Sequence, residues 1–402
     1  MSSLASSMRH GATIHRQPVV HPDRSVFAYA VRGVVPGEGG LPVDEHLVEH
    51  VVDAVYRTLD LSRVAGSRPL IIRATHQMLA SPLTELEAPH GVVLEVPGAH
   101  QTMPGASARL AALTESDARV ALGDYTADPV QDALLPYVQM VKVDSRLPRT
   151  RLEDLVRRAA DAGAVVLAEH ATTRERVGNA LEAGAELLQG PLVLPRDHSA
   201  QARTLGAGEV QCFELLRQLA KPDPDPAEYT RTIASDAELT MRVLHLVNSS
   251  AAGVRHKIDS VQQAVVLVGP RRLGAIATAS LVGSTPTSLE TLWFLLTRAH
   301  TCASLAGDDT GYTVGLLSAV AAHLRVPATQ VVARTGVSPA VAEALANHAG
   351  PYGSVLAAVV AQEASDTAAL ASTGHDPYEV GRHYLDAVPH ALSLATRLAA
   401  AA

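Results

Sequence analysis

Aromatic residues are scarce in this chain of 402 residues: they make up 3% of it, with one Trp and three Phe. Proteins that bind single-stranded nucleic acid by base stacking need a platform of aromatic side chains, so this scarcity argues against one. The formal net charge of −8 argues equally against a broad surface for nucleic acid or for anionic membranes. The sequence therefore predicts neither nucleic acid nor a membrane as a partner.

Cysteines and long apolar runs are lacking too. The two cysteines, Cys212 and Cys302, have neither the spacing of a metal site nor that of a disulfide framework. No run approaches the roughly 18 apolar residues that suggest a membrane-spanning helix. Residues 1–17 also lack the apolar stretch of a signal peptide. These absences predict a cytoplasmic protein with reduced thiols.

The chain has enough apolar residues for a large hydrophobic core, since 47% of its residues are hydrophobic. In the first half, short runs rich in apolar residues recur, with helical stretches between several of them. The runs are Val26–Val35, Leu70–Thr75, Val92–Val96, Val120–Tyr125, Val138–Val143, Val165–Glu169 and Leu187–Leu194. Strands that alternate with helices indicate a parallel sheet. About seven of them, without a Gly-rich phosphate loop after the first, favour a TIM-like (β/α) barrel over an open doubly wound sheet.

In the second half of the chain, apolar residues recur with the spacing of an α-helix and the strand-like runs nearly disappear. The stretches are Phe213–Leu219, Ala237–Val247, Val261–Val268, Leu273–Leu281, Leu292–Leu305, Val314–Leu324 and Ala340–His348. We therefore predict an α/β barrel followed by an all-helical domain. The predicted boundaries are a tail 1–13, a barrel 14–195, a linker 196–209 and a helical domain 210–402. Cleavage near Thr204 is then expected to release two soluble pieces. Leu244, Val247, Val265 and Leu267 are predicted to be buried.

Polar side chains stand within or just after several predicted strands. They are Glu95, Asp124, Lys142, Glu169 and Gln189. Functional groups of such barrels sit at the carboxyl ends of the strands. Three acids and a lysine in these places could hold a divalent metal and a phosphate. Taken singly, each of these residues also fits a structural role, because polar residues commonly occur at strand ends on a barrel rim or as helix caps.

The order of these fragments resembles the EAL domain family, (β/α) barrels that hydrolyse cyclic di-GMP. The resemblance covers about residues 14–195, and its fragments are Arg16–Val20, Val26–Tyr29, Ala121–Tyr125, Val141–Asp144, Leu167–Glu169 and Leu188–Pro191. It implies that three metal-ligand positions of the family are lost, at Ala30, Arg73 and Gly123. Glu95, Asp124, Lys142, Glu169 and Gln189 are then remnants of the site.

The resemblance also places Val34 where the family has a phosphate-contacting arginine. Arg32 is nearby but out of register, so it is expected to point elsewhere. With three ligands missing and a cation at Arg73, we expect no metal, no cofactor and no catalytic residue in the barrel.

The helical half resembles HDOD, a helical output domain of bacterial signalling proteins. Asp236–Leu239 with Val243–Ser250 matches one motif, and Ile258–Gly269 matches another. Related metal-dependent hydrolases carry a His-Asp pair where this chain has Ser318 and Ala319, so no metal is expected here either. His300 is interpreted as a helix-face residue, and Asn248 and Ser249 as structural residues at a helix end.

Together the resemblances imply a bacterial EAL–HDOD signalling or adaptor protein with a degenerate barrel, whose HDOD domain binds protein partners. Binding of cyclic di-GMP and pairing into a homodimer stay open at this point. The alternative is a cyclic-di-GMP phosphodiesterase with substituted ligands, which would need Mg²⁺ or Mn²⁺. Its catalytic groups would be Glu95, Asp124, Lys142 and Glu169. An unrelated barrel enzyme is a third hypothesis, which leaves the helical half unexplained.

Overall fold

The computed structural model describes residues 12–35, 45–58, 60–80, 91–115, 118–191, 207–221, 223–250, 258, 260–283 and 288–399. Its contacts divide the chain into two units. The barrel unit comprises residues 1–194, 361–371 and 376–385, and the helical unit comprises residues 195–360, 372–375 and 386–402. Most of the predicted tail 1–13 and linker 196–209 lies outside the described residues.

Eight strands form a closed barrel in chain order, which confirms the predicted barrel. They are β1 (Thr13–Val20), β2 (Val26–Val34), β3 (Leu70–Arg73), β4 (Val92–Val96), β5 (Arg119–Leu122), β6 (Met140–Asp144), β7 (Val165–Glu169) and β8 (Leu187–Gln189). Strands β2 to β8 are parallel. These seven strands match the predicted parallel runs, whereas β1, which precedes them, is antiparallel to both β2 and β8. Only residues 21–25 join β1 to β2, and so short a turn reverses the chain.

Helices follow most of the strands of the barrel. They are α1 (Glu45–Thr58), α2 (Leu61–Ala65), α3 (His76–Ala80), α4 (Gly98–Gln101), α5 (Ala106–Glu115), α6 (Pro129–Asp132), α7 (Arg149–Asp161) and α8 (Arg174–Glu182), with a 3₁₀ turn at Leu135–Tyr137. Leu152, Leu155, Val156 and Ala159 form the buried face of α7, as its periodicity predicts. Inside the barrel, the buried cluster contains small side chains such as Ala28, Ala30 and Ala121.

Strand β1 is buried along its whole length, because residues near the end of the chain pack against it. All eight of its side chains are buried. Nε2 of Gln362 donates to the Ile14 carbonyl at 3.2 Å, and Nε2 of Gln17 donates to the Glu363 carbonyl at 3.2 Å. The fully buried Tyr384 belongs to the same unit. The grouping of residues 361–371 and 376–385 with the barrel differs from the sequence-based assignment of 210–402 to one helical domain.

Gly381 allows the closest of these approaches, and its replacement by alanine is expected to destabilise the protein. A Cβ at this position would overlap the side chain of Thr13. Elsewhere in a helix, Gly→Ala stabilises by about 0.5–1 kcal/mol. Gly178 in α8 is the matched control, since a Cβ there meets nothing within 4 Å. Urea unfolding should show a lower midpoint for Gly381→Ala and an equal or higher one for Gly178→Ala. Equal midpoints for the two variants would contradict the packing of residue 381 against β1.

The helical unit is built from helices at the predicted places. The helices from residue 207 onward are α9 (Ala207–Leu219), α10 (Pro226–Ala234), α11 (Ala237–Ser250), α12 (Val261–Val268), α13 (Pro270–Val282), α14 (Ser288–Ala306), α15 (Asp309–Leu324), α16 (Ala328–Thr335), α17 (Pro339–Asn347), α18 (Gly350–Ala364), α19 (Thr367–Ser372) and α20 (Pro377–Ala399). The last three contribute residues to both units. Gly315 lets α15 approach α14 closely, because a Cβ there would lie 2.8 Å from the Ala299 Cα.

The predicted burial of four apolar side chains is only partly met. Val265 is fully buried and Leu244 and Val247 are half-buried, but Leu267 is 59% exposed. Residues two apart in a helix lie on opposite sides of it, so Val265 and Leu267 cannot both face the core. The prediction is therefore wrong for Leu267.

The predicted structural role of Asn248 is confirmed. Its side chain donates to the Ile258 carbonyl at 3.0 Å and accepts from the Ile258 N–H at 2.9 Å. The Ser249 side chain lies outside the described residues.

Among the described helices, no single one has both the length and the apolar character to cross a bilayer. The pair α12 and α13, bent by 107° where they join, meets the criterion by length and composition. Nine residues of α13 are buried in the protein, which is typical of a core helix.

Candidate functional site

Five charged side chains meet at the carboxyl ends of neighbouring barrel strands. Arg73 ends β3, Glu95 lies in β4, Asp124 follows β5, Lys142 lies in β6 and Glu169 ends β7. We call these five residues the ion-pair cluster. Four of them were predicted from the sequence as remnant site residues, and the structure brings them together around Arg73.

Arg73 bridges two carboxylates of the cluster. Its Nη1 donates to Oε1 of Glu95 at 2.8 Å, and its Nη2 donates to Oδ2 of Asp124 at 2.8 Å. A planar guanidinium suits this arrangement because its N–H groups point in fixed, diverging directions. The backbone N–H of Gly98 donates to the same Asp124 oxygen at 3.2 Å.

Lys142 holds the inner part of the cluster and is buried. Its Nζ lies 2.7 Å from Oε2 of Glu95 and 3.1 Å from Oε2 of Glu169. Both oxygens of Glu95 are therefore engaged, one by Arg73 and one by Lys142. Three carboxylates face two cations, so one negative charge is not compensated within the cluster.

Glu95, Asp124 and Lys142 keep their charges despite burial. Burial alone raises the pKa of Glu95, but the positive charges of Lys142 and Arg73 outweigh it and hold that pKa below the ordinary value. Asp124 behaves in the same way, with Arg73 as the main opposing charge. Burial lowers the pKa of Lys142, and the two glutamates raise it above its ordinary value. These three groups are thus ionised at neutral pH.

Gly123 and Asp124 shape the turn that presents the Asp124 carboxylate. Asp124 has a φ of +51°, in the left-handed region that Asp tolerates better than most residues. A Cβ on Gly123 would lie 3.0 Å from Oε1 of Glu95 and 3.2 Å from the Val96 carbonyl. A side chain at Gly123 would therefore press on the Glu95 carboxylate that Arg73 holds.

Arg32 also reaches this end of the barrel, so the expectation that it points elsewhere is wrong. Ala28 and Ala30 belong to the cluster inside the barrel, and Arg32 continues the same side of β2 two residues later. Its side chain lines the cavity next to the ion-pair cluster and makes no ion pair within the described residues. The period-two pattern of this strand carried the signal, because residues 30 and 32 share a face.

Gln189 sits apart from the cluster, in a chain of amide contacts. Its Nε2 donates to Oε1 of Gln17 at 3.0 Å, and Gln17 donates in turn to the Glu363 carbonyl. His15 lines the same cavity, and burial together with the charge of Arg32 lowers its pKa to about 4. Ser365 completes the lining. Sequence reasoning missed the residues from 363 to 365 because nothing local marks a contact across such a distance in the chain.

The remaining space is small. The cavity between the ion-pair cluster, Arg32 and Ser365 measures about 40 Å³. Pockets that enclose small ligands measure about 300–1,000 Å³. In this conformation the cavity therefore has room for a few water molecules.

A divalent metal, which the family resemblance implies for active relatives, does not fit these residues. Both oxygens of Glu95 and Oδ2 of Asp124 already accept hydrogen bonds from side-chain cations. Ala30 and Gly123 offer no side-chain oxygen. Across the described parts of the chain, no group of three or more His, Cys, Asp or Glu side chains is placed to hold a metal ion.

In the helical unit a buried cation contacts Ser318, since Nη1 of Arg298 donates to its Oγ at 3.2 Å. His300 lies edge-on to Tyr312 with ring centres 5.2 Å apart. Burial and the charge of Arg271 lower the pKa of His300 to about 4, so it is neutral at pH 7.

Comparisons with known proteins place similarity in both units. The chain is 25% identical to the cyclic di-GMP phosphodiesterase CdgJ of Vibrio cholerae over 367 residues, which covers 85% of this chain and 83% of that protein. It is 24% identical to the uncharacterized protein YuxH of Bacillus subtilis over 401 residues, with 93% and 97% covered. A similar solved structure is the FimX EAL domain of Xanthomonas citri in complex with c-diGMP. It is 19% identical, with 48% of this chain and 93% of that chain covered and a TM-score of 0.36.

A family model gives the most direct assignment. Residues 210–319 match the model of the HDOD domain, which confirms the predicted resemblance of the helical half. Residues 210–319 are therefore similar in sequence to HDOD domains, and they share the chain with an eight-stranded closed barrel.

Proposed function

We propose that this chain is a cytoplasmic, cyclic-di-GMP-related signal-transduction or adaptor protein whose barrel does not hydrolyse the dinucleotide. The observation that supports this most is the position of Arg73 between Glu95 and Asp124. Metal-assisted phosphodiester hydrolysis needs carboxylate oxygens that are free to hold the ion. Here these oxygens hold a guanidinium, which supplies positive charge but cannot bind and acidify a water molecule.

The barrel then serves as a binding or docking module, and the HDOD domain carries the protein partner. Within the barrel mouth, Arg32 is the cation with no ion-pair partner among the described residues. It is exposed and is therefore available to a phosphate group at the rim. Pairing of two copies into a homodimer is part of the same proposal. Sedimentation velocity of the full chain measures whether the protein is a monomer or a dimer.

A hydrolysis assay of the full chain tests the proposal. We expect no turnover of cyclic di-GMP above background with Mg²⁺ or Mn²⁺. Gly123→Asp alone should not restore activity, because its Cβ would lie 3.0 Å from Oε1 of Glu95 and Arg73 would remain in place. Hydrolysis by the unmodified protein that disappears in Glu95→Ala would overturn the proposal. Equilibrium binding of cyclic di-GMP to the same protein and to Arg32→Ala measures whether the rim binds the dinucleotide.

The second candidate is an active cyclic-di-GMP phosphodiesterase with Mg²⁺ or Mn²⁺. The similarity to CdgJ, whose name records that activity, favours it. In such an enzyme the metal would have to displace Arg73 from Glu95 and Asp124. At about 4 Å and an effective dielectric near 20, two unit charges interact by about 4 kcal/mol, and a divalent ion facing Arg73 doubles that repulsion. An active enzyme should therefore gain activity in Arg73→Asn, whereas a silent barrel should stay inactive in this single variant.

A further inference from the structure

A second cavity opens at the opposite end of the barrel, where strands β4 to β8 begin. It measures about 290 Å³, against about 40 Å³ beside the ion-pair cluster. This volume lies close to the lower end of the range for pockets that hold small organic ligands. Its apolar wall is formed by Phe27, Val93, Met140, Val165 and Leu187.

The wall of this cavity presents apolar surface to its interior, and the His21 ring packs edge-on against Phe27 at one side of it. Phe27 and Val165 pack against the buried cluster inside the barrel but are themselves only partly buried. The cluster behind them includes Ala28 and Ala121, whose single methyl groups cannot fill the space. Apolar surface of this kind gains free energy when an apolar molecule replaces the water against it.

Charge at the rim is divided between two sides. Arg119, at the start of β5, lines the cavity, is exposed, and forms neither an ion pair nor a side-chain hydrogen bond with other described residues. Glu186, just before β8, lies three strands further round the barrel, and its Oε1 accepts from the Val166 N–H at 3.4 Å. At about 4.8 Å per strand, roughly 14 Å of sheet separates the two charges. One positive and one negative charge therefore line this rim, and Arg119 is the group there that can pair with an anionic head.

We infer that this cavity binds a single-chain amphiphile with a carboxylate head, such as a medium-chain fatty acid. The aliphatic chain lies against Phe27, Val165 and Leu187, and the carboxylate pairs with the guanidinium of Arg119. A guanidinium holds a carboxylate through two parallel hydrogen bonds, which explains the choice of head group. The site is separate from the ion-pair cluster, so it does not depend on the function proposed above.

Binding of decanoate and of decanol to the full chain, measured by isothermal titration calorimetry, tests this inference. The two probes share the apolar chain and differ in the charged head. Arg119→Ala should weaken decanoate binding by roughly tenfold or more and leave decanol binding unchanged, because only the carboxylate loses its partner. Val165→Phe should weaken the binding of both probes by filling the cavity. Arg109→Ala, an exposed arginine on α5, is the matched control and should change neither affinity.

The methionine methyl groups report where the probe binds in the unsubstituted protein. The chain has six methionines. Met140 lines the cavity, whereas Met241 is 71% exposed in the helical unit. Decanoate should shift the Met140 methyl resonance, assigned through Met140→Leu, and leave that of Met241 in place. No decanoate binding, binding that is indifferent to Arg119→Ala, or an unshifted Met140 resonance would each overturn the inference.

Discussion

Replacing Lys142 with methionine is expected to lower the free energy of unfolding of the barrel by about 3–5 kcal/mol at pH 7. Methionine keeps most of the length and flexibility of the side chain, so the change removes the charge more than the volume. Glu95 would lose one of its two partners, and Glu169 would lose its contact at 3.1 Å. Buried carboxylates without a cation are costly because the protein interior solvates charge poorly.

This loss should depend on pH. The pKa of Glu95 in the folded protein lies below its ordinary value of 4.5, so its ionised form stabilises the fold at pH values above 4.5. That contribution disappears as the pH falls through the lowered pKa. In Lys142→Met the stranded carboxyls take up protons more readily, which relieves their burial. The difference in the free energy of unfolding between the unmodified protein and Lys142→Met should therefore be largest at pH 7 and shrink as the pH falls towards 4.5.

Urea unfolding followed by circular dichroism at several pH values provides the measurement. Arg146→Met is the matched control, because Arg146 also pairs with a strand-end carboxylate, Asp144, but is 55% exposed. Exposed pairs contribute about 0–1 kcal/mol, so the control should change stability little. The single Trp, Trp293, is buried in the helical unit, and its fluorescence reports that unit separately. A loss as small as that of the control would mean that Lys142 does not neutralise the cluster.

A protein that ends at residue 194 is expected not to form a stable barrel. In the complete chain, residues 361–371 and 376–385 belong to the barrel unit and cover β1. Without them, the Gln17 side chain loses its acceptor at the Glu363 carbonyl, and the Ile14 carbonyl loses the Gln362 amide. Apolar surface along β1 would also become exposed to water. We expect a fragment that is aggregated or unfolds without a cooperative transition.

A protease site inserted near residue 204 of the full chain gives the sharper form of this experiment. After cleavage the two pieces should co-elute and keep the circular dichroism of the intact protein. The sequence alone predicted the opposite, two independently soluble pieces. If the piece containing residues 1–204 elutes alone and unfolds cooperatively, the assignment of residues 361–385 to the barrel is wrong.

Sequence patterns that act over short distances predicted much of this protein. The apolar runs gave seven strands, and helical spacing gave the second half, because both signals lie within a few residues. The ion-pair cluster was accessible as well, since the carboxyl ends of barrel strands converge. The side-chain direction of Arg32 was predicted wrongly although the sequence carried the signal. Ala28, Ala30 and Arg32 are each two residues apart, so they share one side of β2.

Other features had no local signal. The burial of β1 depends on Gln362 and Glu363, which lie far away in the chain. Leu267 looked like a core residue because it is apolar, but Val265 already occupies the inward face of α12. Contacts between distant segments and the choice of one apolar face over another are set by tertiary packing.

The covering of β1 also affects how the protein is made. Ile14 and the Gln362 side chain that binds its carbonyl are separated by 348 positions. At about 5–20 residues per second, a ribosome needs roughly 20–70 s to synthesise the chain between them. Throughout that interval β1 lacks the segment that covers it in the folded protein. The apolar side chains of β1 therefore stay exposed until the end of synthesis, which makes the incomplete chain prone to aggregate.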